Sequence, residues 1–272
     1  MKKCLVCKTD KYLSKKYSYP EGRINICQKC QLAVFQGSMP KSAGVDIAEE
    51  NPIFKILKKI VLNYEFGFLK KEDGVKILEI GSGSGELAKI LNNWGHRVVC
   101  NDVDKTSLKR IFVKYKFDTL FGSLEKLKIK RASFDAVIMR HVFEHINNHN
   151  EFIHKIHSVL KKNGRLIITQ PNSGSFCCKS FGKHWSGFSV PAHRYSWNIS
   201  NLSQFLRKND FRIEVAKTIF SHYGFPLNLL FVFPRFLKII FFPLILICGL
   251  IIELFSTAIN RGQNLFIIAK KI

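Results

Sequence analysis

The stretch Val75-Lys-Ile-Leu-Glu-Ile-Gly-Ser-Gly-Ser-Gly-Glu86 decides the fold of this chain. Its first six residues are mostly β-branched or apolar, which predicts a buried strand. Three glycines then alternate with serines, and apolar residues at helical spacing follow. Strand, glycine turn and helix in this order favour a ligand-binding turn at the start of an α/β unit, because glycines let the backbone approach a ligand and the helix N-terminus attracts negative charge.

Working outward from this turn, strands and helices continue to alternate. Apolar runs predict strands at His96–Cys100, near Thr119, at Asp135–Met139 and at Gly164–Thr169. Helical periodicity predicts helices from Pro52, over Lys105–Lys116 and over Asn150–Lys161. Such alternation implies a parallel sheet with right-handed crossovers, so we expect a doubly wound α/β fold.

Composition narrows the functional classes. The chain has 272 residues, of which 46% are hydrophobic and 23% charged, and this excludes a disordered or fibrous protein. Lys and Arg number 43 against 20 Asp and Glu, so the net charge of +23 favours an anionic partner: nucleic acid, a nucleotide-linked substrate or an acidic membrane face. The 24 Phe crowd toward the end of the chain.

Eight cysteines raise the question of compartment. Residues 1–10 contain no apolar run long enough for a signal peptide, so we expect a cytoplasmic chain in which paired thiols hold metal rather than form disulfides. Two CxxC units, Cys4-Leu-Val-Cys7 and Cys27-Gln-Lys-Cys30, have 19 residues between them. This spacing predicts a structural zinc ribbon over residues 1–40, although one pair could be fortuitous.

A candidate ribose ligand follows the second strand. Asp102 ends this strand, 21 residues after Gly81, where a carboxylate can accept both hydroxyls of a ribose. Glycine turn and acid together predict an adenosine cofactor; the alternative is a tight turn followed by a helix-capping Asp.

The ordered set of motifs resembles the class I S-adenosylmethionine-dependent methyltransferases. The matching segments are Glu79–Gly85, Asp102, Phe134–Ile146 and Leu160–Asn172. The resemblance covers roughly residues 53–217 and returns at 263–271, and it includes elements typical of enzymes in surface-polysaccharide and sugar-modifying pathways.

This resemblance implies a fold and a set of site residues. It implies a methyltransferase domain over residues 41–272, with a seven-stranded, mostly parallel sheet whose last strand, Leu265–Ala269, runs antiparallel beside Phe211–Val215. The implied cofactor contacts are Glu79, Gly81, Gly83 and Gly85 at the methionine end, Asp102 at the ribose, Ser123 and Leu124 at the adenine, and Arg140 and His141 on the far side. Ser123 departs from the family, which usually has Asp at this position.

Histidines are the candidates for a base on the acceptor side. His145 follows the fourth strand, where Glu144 could orient it, but the two residues could instead cap the next helix. His193 is the second candidate, in a long aromatic region after the fifth strand. Trp185 and Trp197 in this region could stack on a sugar or pack in the core.

An apolar insertion separates the last two strands. Residues 225–258 carry only three charges, and the residues from Ile239 to Ile252 include none. This run is shorter than the ~20 residues of a spanning helix. Pro226, Pro234 and Pro243 predict short apolar pieces in a re-entrant or interfacial hairpin on an anionic membrane. The alternatives are a true span that includes the flanks, a buried helix pair or a dimer interface.

Together these patterns predict a methyltransferase at the inner face of the membrane that uses S-adenosyl-L-methionine and structural Zn²⁺. The expected substrate is a sugar or lipid-linked glycan precursor. An rRNA base methyltransferase is the runner-up, since +23 would attract phosphate. A non-catalytic partner that retains the fold is a third possibility.

Overall fold

The computed structural model describes residues 3–38, 52–221, 224–232 and 235–272. The predicted linker Lys41–Asn51 lies outside the described residues. The chain divides into two compact units. Unit 1 comprises Met1–Ala43, Thr169–Leu206 and Ala216–Phe266, and unit 2 comprises Gly44–Ile168, Arg207–Val215 and Ile267–Ile272.

Eight α-helices are described. They are α1 Pro52–Phe66, α2 Glu86–Asn93, α3 Lys105–Tyr115, α4 His149–Val159, α5 Phe176–Phe181, α6 Ile199–Arg207, α7 Phe225–Val232 and α8 Arg235–Ala258.

Eleven strands are described. They are β1 Tyr12–Tyr19, β2 Gly22–Cys27, β3 Ala33–Gly37, β4 Lys76–Ile80, β5 Arg97–Asp102, β6 Asp118–Phe121, β7 Phe134–Arg140, β8 Leu160–Pro171, β9 Tyr195–Ser196, β10 Phe211–Ile219 and β11 Asn264–Lys271.

The main sheet has seven strands in the order β10-β11-β8-β7-β4-β5-β6, which confirms the predicted doubly wound α/β fold. β4 pairs in parallel with β5 and with β7, and β5 pairs in parallel with β6. The strand of the decisive segment, β4, therefore lies in the interior of the sheet, third from the β6 edge, and it is buried. β11 lies beside β10, as the sequence predicts for Leu265–Ala269 and Phe211–Val215.

Parallel pairing brings the carboxyl ends of β4, β5 and β7 to one edge of the sheet. Ile80 pairs with Asn101 on one side and with Met139 on the other. The carboxyl ends of these three strands and the residues directly after them include all the predicted cofactor residues except Ser123 and Leu124, which follow β6. They therefore converge at this edge.

Unit 1 contains a second sheet, in the order β1-β2-β3-β9. Its last strand comes from far along the chain: Ala33 pairs with Ser196, and Val34 pairs with Tyr195. An apolar cluster behind the sheet includes Ile24, Phe35, Trp185, Phe188 and Phe225. The cysteine-bearing segment 1–40 thus belongs to a larger unit, because its buried residues share an apolar cluster with residues far along the chain.

The apolar insertion forms two helices, α7 and α8. The prediction that Pro243 separates two apolar pieces is wrong, since α8 continues through Pro243. Proline removes one backbone donor, but the other hydrogen bonds of a 24-residue helix are enough to continue it past this residue. Gly249 lets the helices approach closely, because a Cβ at this position would lie 2.8 Å from the Cα of Pro226.

The two faces of α8 differ sharply. Ile245, Gly249, Glu253 and Ser256 are buried, at the spacing of one helical face. The opposite face is exposed and apolar, and we call it the outer face of α8. It comprises Phe241, Phe242, Leu244, Ile247, Ile251, Leu254 and Phe255.

Candidate functional site

The glycine turn at the end of β4 is held in a conformation that only glycine adopts readily. Gly81 has φ +73°, and a Cβ there would lie 2.3 Å from Val142 Cγ2. Gly83 also has positive φ, but nothing lies within 4 Å of its Cβ position. The turn is therefore tight on its inner side and open at Gly83, which leaves room for a ligand to approach the backbone.

Asp102 ends β5 and binds the glycine turn directly. Its Oδ2 accepts a hydrogen bond from the backbone N–H of Gly83 at 2.9 Å, and its Oδ1 accepts one from Asp104 N at 2.9 Å. A carboxylate offers about four acceptor positions, so capacity remains for two hydroxyls. The alternative helix-capping role belongs to Asp104, whose side chain accepts from Thr106 N and Ser107 N at the start of α3.

Glu79 is a buried carboxyl group beneath the turn. Burial first, and then the nearby charge of Asp102, raise the pKa of Glu79 to about 8, although Arg140 and the Ala88 N–H act in the opposite direction. Among the described residues, Glu79 Oε2 has no hydrogen-bond partner. A buried acceptor beside an open glycine turn suits a cationic group such as an ammonium.

Two polar residues that the sequence reasoning missed hold this edge of the sheet together. Ser82 Oγ donates to the carbonyl of Glu79 at 3.0 Å. Asn101 Nδ2 donates to the carbonyls of Leu120 and Gly122, at 2.8 and 2.9 Å. A polar residue at the buried end of a strand is the signal that could have found Asn101.

The predicted adenine contacts lie in the segment that Asn101 holds. Ser123 is half-buried and precedes a short 3₁₀ turn, and Leu124 is buried. The Ser123 side chain makes no capping hydrogen bond there. Val103, directly after Asp102, is 69% exposed although it is apolar. An exposed valine next to the ribose-binding candidate offers an apolar contact surface to the adenine ring. Its position directly after Asp102 could have indicated this contact from the sequence.

Arg140 ends β7 and His141 follows it, and each lies near a carboxylate. Arg140 Nε lies 3.2 Å from Oε2 of Glu65 on α1, whose side chain is fully buried. His141 adopts φ 54°, and its Nδ1 lies 3.5 Å from Glu144 Oε1. The pair Arg140–Glu65 ties α1 to this edge of the sheet.

Glu144 and His145 lie together in a short 3₁₀ turn, Phe143–His145. A carboxylate oxygen of Glu144 and a ring nitrogen of His145 lie within 4.8 Å of each other. Neither residue caps α4, because the N-cap is Asn148, whose side chain accepts from Glu151 N. The capping alternative is therefore wrong, and the proton-accepting role stays a prediction.

His149, which the sequence reasoning missed, holds this turn in place. It is buried, and its Nε2 donates to the carbonyl of Phe143 at 2.8 Å. Burial lowers the pKa of His149 to about 4, so the ring stays neutral near pH 7. A neutral ring with a fixed donor gives the Glu144–His145 turn a rigid support.

His193, the second base candidate, lies in unit 1. Its Nδ1 donates to the carbonyl of Gly187 at 2.8 Å, which leaves Nε2 as the basic nitrogen. Trp185 and Trp197 are buried, so of the two alternatives for these residues the structure shows core packing. Neither indole offers an exposed face to a sugar.

The four N-terminal cysteines of unit 1 converge. The Sγ atoms of Cys4 and Cys30 lie 3.5 Å apart, those of Cys7 and Cys27 lie 3.4 Å apart, and all four lie within 4.8 Å of one another. Tetrahedral zinc with Zn–S bonds of about 2.3 Å needs sulfurs about 3.8 Å apart. The donor set therefore fits a four-coordinate soft-metal site.

Both CxxC turns have the same backbone conformation. Lys8 N donates to the carbonyl of Cys4 at 3.0 Å, and Gln31 N donates to that of Cys27 at 2.9 Å. Lys8 and Gln31, each directly after the second cysteine of its pair, have φ of 59° and 60°. Two matched turns show that neither pair is fortuitous in its geometry.

Residues 78–168 match the family model described as "Methyltransferase domain". This segment of the chain is therefore similar to the domain of that family. It begins within β4 and ends within β8, so it contains the glycine turn, Asp102 and the Glu144–His145 turn.

Curated relatives carry related names. A "Probable S-adenosylmethionine-dependent methyltransferase" of Mycolicibacterium smegmatis is 27% identical over 152 residues, which cover 56% of this chain and 57% of that protein. The mitochondrial ubiquinone biosynthesis O-methyltransferase of Rattus norvegicus is 35% identical over 125 residues, covering 43% and 36%. The chain thus spans about a third to just over half the length of these relatives.

Solved structures share the fold at low identity. An S-adenosylmethionine-dependent methyltransferase of Mesorhizobium loti aligns with a TM-score of 0.51 at 14% identity, covering 84% of this chain and 100% of that one. The cyclase SpnF aligns with a TM-score of 0.58 at 15% identity, covering 86% and 88%. Because a cyclase shares the fold, the fold alone does not assign the reaction.

The residues at this edge of the sheet fit S-adenosylmethionine as a cofactor. The buried Glu79 carboxyl can hold the ammonium of the methionine part, the open backbone at Gly83 admits the chain, and Asp102 keeps acceptor positions for the ribose. When bound, this cofactor supplies a methyl group on a sulfonium, which is transferred by in-line displacement.

The raised pKa of Glu79 predicts how stability depends on pH. Between the ordinary value of 4.5 and about 8, the folded ligand-free protein keeps a proton on Glu79 that the unfolded chain releases. Unfolding free energy therefore falls as pH rises through this window. We expect Glu79→Gln to reduce the fall between pH 5 and pH 8 by about 2–4 kcal/mol, as measured by urea denaturation.

Glu125→Gln is the matched control, since Glu125 is only half-buried in the same domain. Its pH profile should follow that of the wild type. Parallel profiles for wild type and Glu79→Gln would show that Glu79 ionises normally.

Proposed function

We propose that this chain is an S-adenosylmethionine-dependent methyltransferase that acts at an anionic membrane surface on a lipid-linked glycan precursor. The methyltransferase domain at residues 78–168 and the cofactor geometry of Glu79, Gly83 and Asp102 support the reaction class. The exposed outer face of α8 supports the proposed membrane location.

The outer face of α8 is the observation that carries the membrane proposal. Among the described helices, α8 is the one long and apolar enough to cross a membrane, with a mean hydropathy of 2.2 over Phe241–Ala258. Only 22% of this window is buried. Exposed contiguous apolar surface of this kind is typical of a membrane or partner contact.

An interfacial position suits α8 better than a span. Its other face packs on α7 through Gly249 and carries a buried carboxyl group, Glu253, whose Oε1 accepts from Gln263 N at 3.0 Å. A helix with one protein-facing and one apolar outer face can lie in the headgroup region. The net charge of +23 would add attraction to anionic lipids.

A second exposed apolar face lies beside the cofactor residues in unit 2. Ile56, Ile60 and Tyr64 are each about 60–70% exposed and recur every four residues on α1. The same helix is tied to the cofactor edge by Glu65–Arg140 and by Lys58–Glu86, the latter at 2.8 Å. This arrangement favours an acceptor that carries an apolar tail.

The acceptor atom we propose is a hydroxyl oxygen. The names of several relatives, the ubiquinone biosynthesis O-methyltransferases, specify transfer to oxygen. A hydroxyl needs a base, and His145 with Glu144 beside it can accept the proton; His193 Nε2 is the second candidate. The glycan part rests on the resemblance of Gly182-Lys-His-Trp185 and Pro191-Ala-His193 to elements of sugar-modifying enzymes. The tryptophans do not add support, because both are buried.

The cytoplasmic side is the proposed location. None of the eight cysteines forms a disulfide, as is usual in a reducing compartment. The inner leaflet also carries the anionic lipids that a chain of charge +23 would bind.

An RNA substrate is the second candidate, and helix α3 favours it. Lys105, Lys109, Arg110, Lys114 and the adjoining Lys116 are exposed, and no acidic residue lies among them. Such a cluster attracts phosphate. The RNA function is placed second because it does not account for the exposed outer face of α8.

The test of the proposed function is transfer of radiolabelled methyl into cell fractions. Purified chain and labelled S-adenosylmethionine are added to anionic vesicles that contain the lipid extract, and separately to soluble glycan and to RNA. We expect label in the lipid fraction. The variant Ile247→Ser, Ile251→Ser, Phe255→Ser should reduce that transfer at least about tenfold, because burial of each apolar side chain is worth about 1.5–3 kcal/mol.

Phe112→Ser, Val113→Ser is the matched control, since both residues are exposed on α3. It should transfer methyl like the wild type. Label in RNA alone would establish the second candidate. If the α8 variant and the wild type transfer methyl equally, the proposal of membrane binding is wrong.

We propose further that the four cysteines bind one structural Zn²⁺. Support comes from the convergence of four thiols in two matched turns. Four protein ligands fill a tetrahedral ion, so the site holds no position for a substrate. In this role the metal would stabilise unit 1 rather than take part in methyl transfer.

Zinc analysis of the purified chain tests this proposal. We expect about one zinc per chain in the wild type and loss of the metal in Cys4→Ser and Cys27→Ser. Both variants should unfold at lower denaturant concentration, because metal binding stabilises the folded state. Cys248→Ser is the control, because Cys248 is exposed and lies outside the cluster. A wild type without zinc would overturn the assignment.

A further inference from the structure

A buried polar network joins helices α7 and α8 to the segment that contains His193. We define residues 185–193 as the His193 loop; it lies in unit 1, as do both helices. We propose that Asn228 and Gln263 are positioning residues that hold this loop, so that membrane binding by the helices orders the candidate base. This inference rests on the proposed function.

Asn228 anchors the loop to α7. It is fully buried, and its Oδ1 accepts from Ser186 N at 2.7 Å. Its Nδ2 donates to Ser186 Oγ at 2.9 Å and to the carbonyl of Gly224 at 2.8 Å. Three hydrogen bonds from one buried amide fix the distance between α7 and the loop.

Gln263 anchors the loop to α8. Its Oε1 accepts from the indole Nε1 of Trp185 at 2.8 Å, and its backbone N–H donates to Oε1 of Glu253. Trp185 and Glu253 are both buried. Removal of either partner would leave a buried polar atom unsatisfied, which is costly.

The two anchors lead to His193 through Gly187. A Cβ at Gly187 would lie 2.2 Å from the Trp185 ring, so the backbone rests directly on the indole. The carbonyl of the same Gly187 accepts a hydrogen bond from His193 Nδ1. The loop between the anchors therefore sets both the tautomer and the orientation of the imidazole.

The same helices present the outer face of α8 on their other side. When lipid immobilises that face, the anchors transmit the loss of motion to the His193 loop. We expect the loop to be more mobile in solution than on vesicles. A base that is ordered only at the membrane would confine proton abstraction to the place where a lipid-linked acceptor is found.

Hydrogen–deuterium exchange of the full chain tests the anchors without vesicles. Asn228→Ala should raise the exchange rate of amides 186–193 at least about fivefold, because a lost buried hydrogen bond makes local opening easier. Gln263→Leu is the second variant, since it keeps the backbone bond to Glu253. Asn92→Ala, in unit 2, is the control and should leave the loop unchanged.

A second readout separates positioning from general loosening. With ¹⁵N-labelled histidine, His193 should show protonated Nδ1 in the wild type and a mixture of tautomers in Asn228→Ala; His193→Gln assigns the signal. Unchanged loop exchange and an unchanged tautomer in both variants would overturn the proposal.

The vesicle arm uses phosphatidylglycerol and phosphatidylcholine. Slower exchange in both 225–258 and 185–193 supports the coupling. Slower exchange in 225–258 alone overturns the coupling while membrane binding stands. If exchange slows in neither segment, the membrane part of the proposed function is wrong. The role of the anchors then depends on the vesicle-free comparison of the wild type with the Asn228 and Gln263 variants.

Discussion

The parallel pairing of β4 with β5 and β7 is the constraint on which the candidate site depends. Parallel strands end at one edge, so the glycine turn, Asp102 and Arg140 converge although they are distant in sequence. The hydrogen bond from Gly83 N to Asp102 Oδ2 closes this arrangement. It fixes the carboxylate against the turn and leaves its other acceptor positions for a ligand.

Both proposed ligand surfaces consist of groups that are costly without a partner. A buried carboxyl group with an unsatisfied oxygen, Glu79, costs free energy until a cation reaches it. The outer face of α8 exposes apolar side chains to water until another apolar phase covers them. In each case ligand binding would remove a free-energy cost that remains in the folded protein, and this gain would contribute to the affinity.

Prediction from the sequence succeeded where local pattern and ligand chemistry agree. The strand–glycine–helix pattern at Val75–Glu86 and the paired CxxC units were sufficient to predict the central sheet and the cysteine cluster, because both are defined by short spacings. The prediction of a break at Pro243 was wrong, because a long helix tolerates one missing hydrogen bond. Asn228, Gln263 and His149 could not be predicted, because their roles depend on partners 6 to 78 residues away.

The central claim is that Glu79, the glycine turn and Asp102 bind S-adenosylmethionine. Isothermal titration with S-adenosylhomocysteine, run at pH 7 in two buffers of different ionisation enthalpy, tests it most directly. We predict saturable one-site binding with release of close to one proton, because a cationic ammonium favours ionised Glu79, and no proton release in Glu79→Gln. The absence of saturable heat at about millimolar ligand would contradict the account.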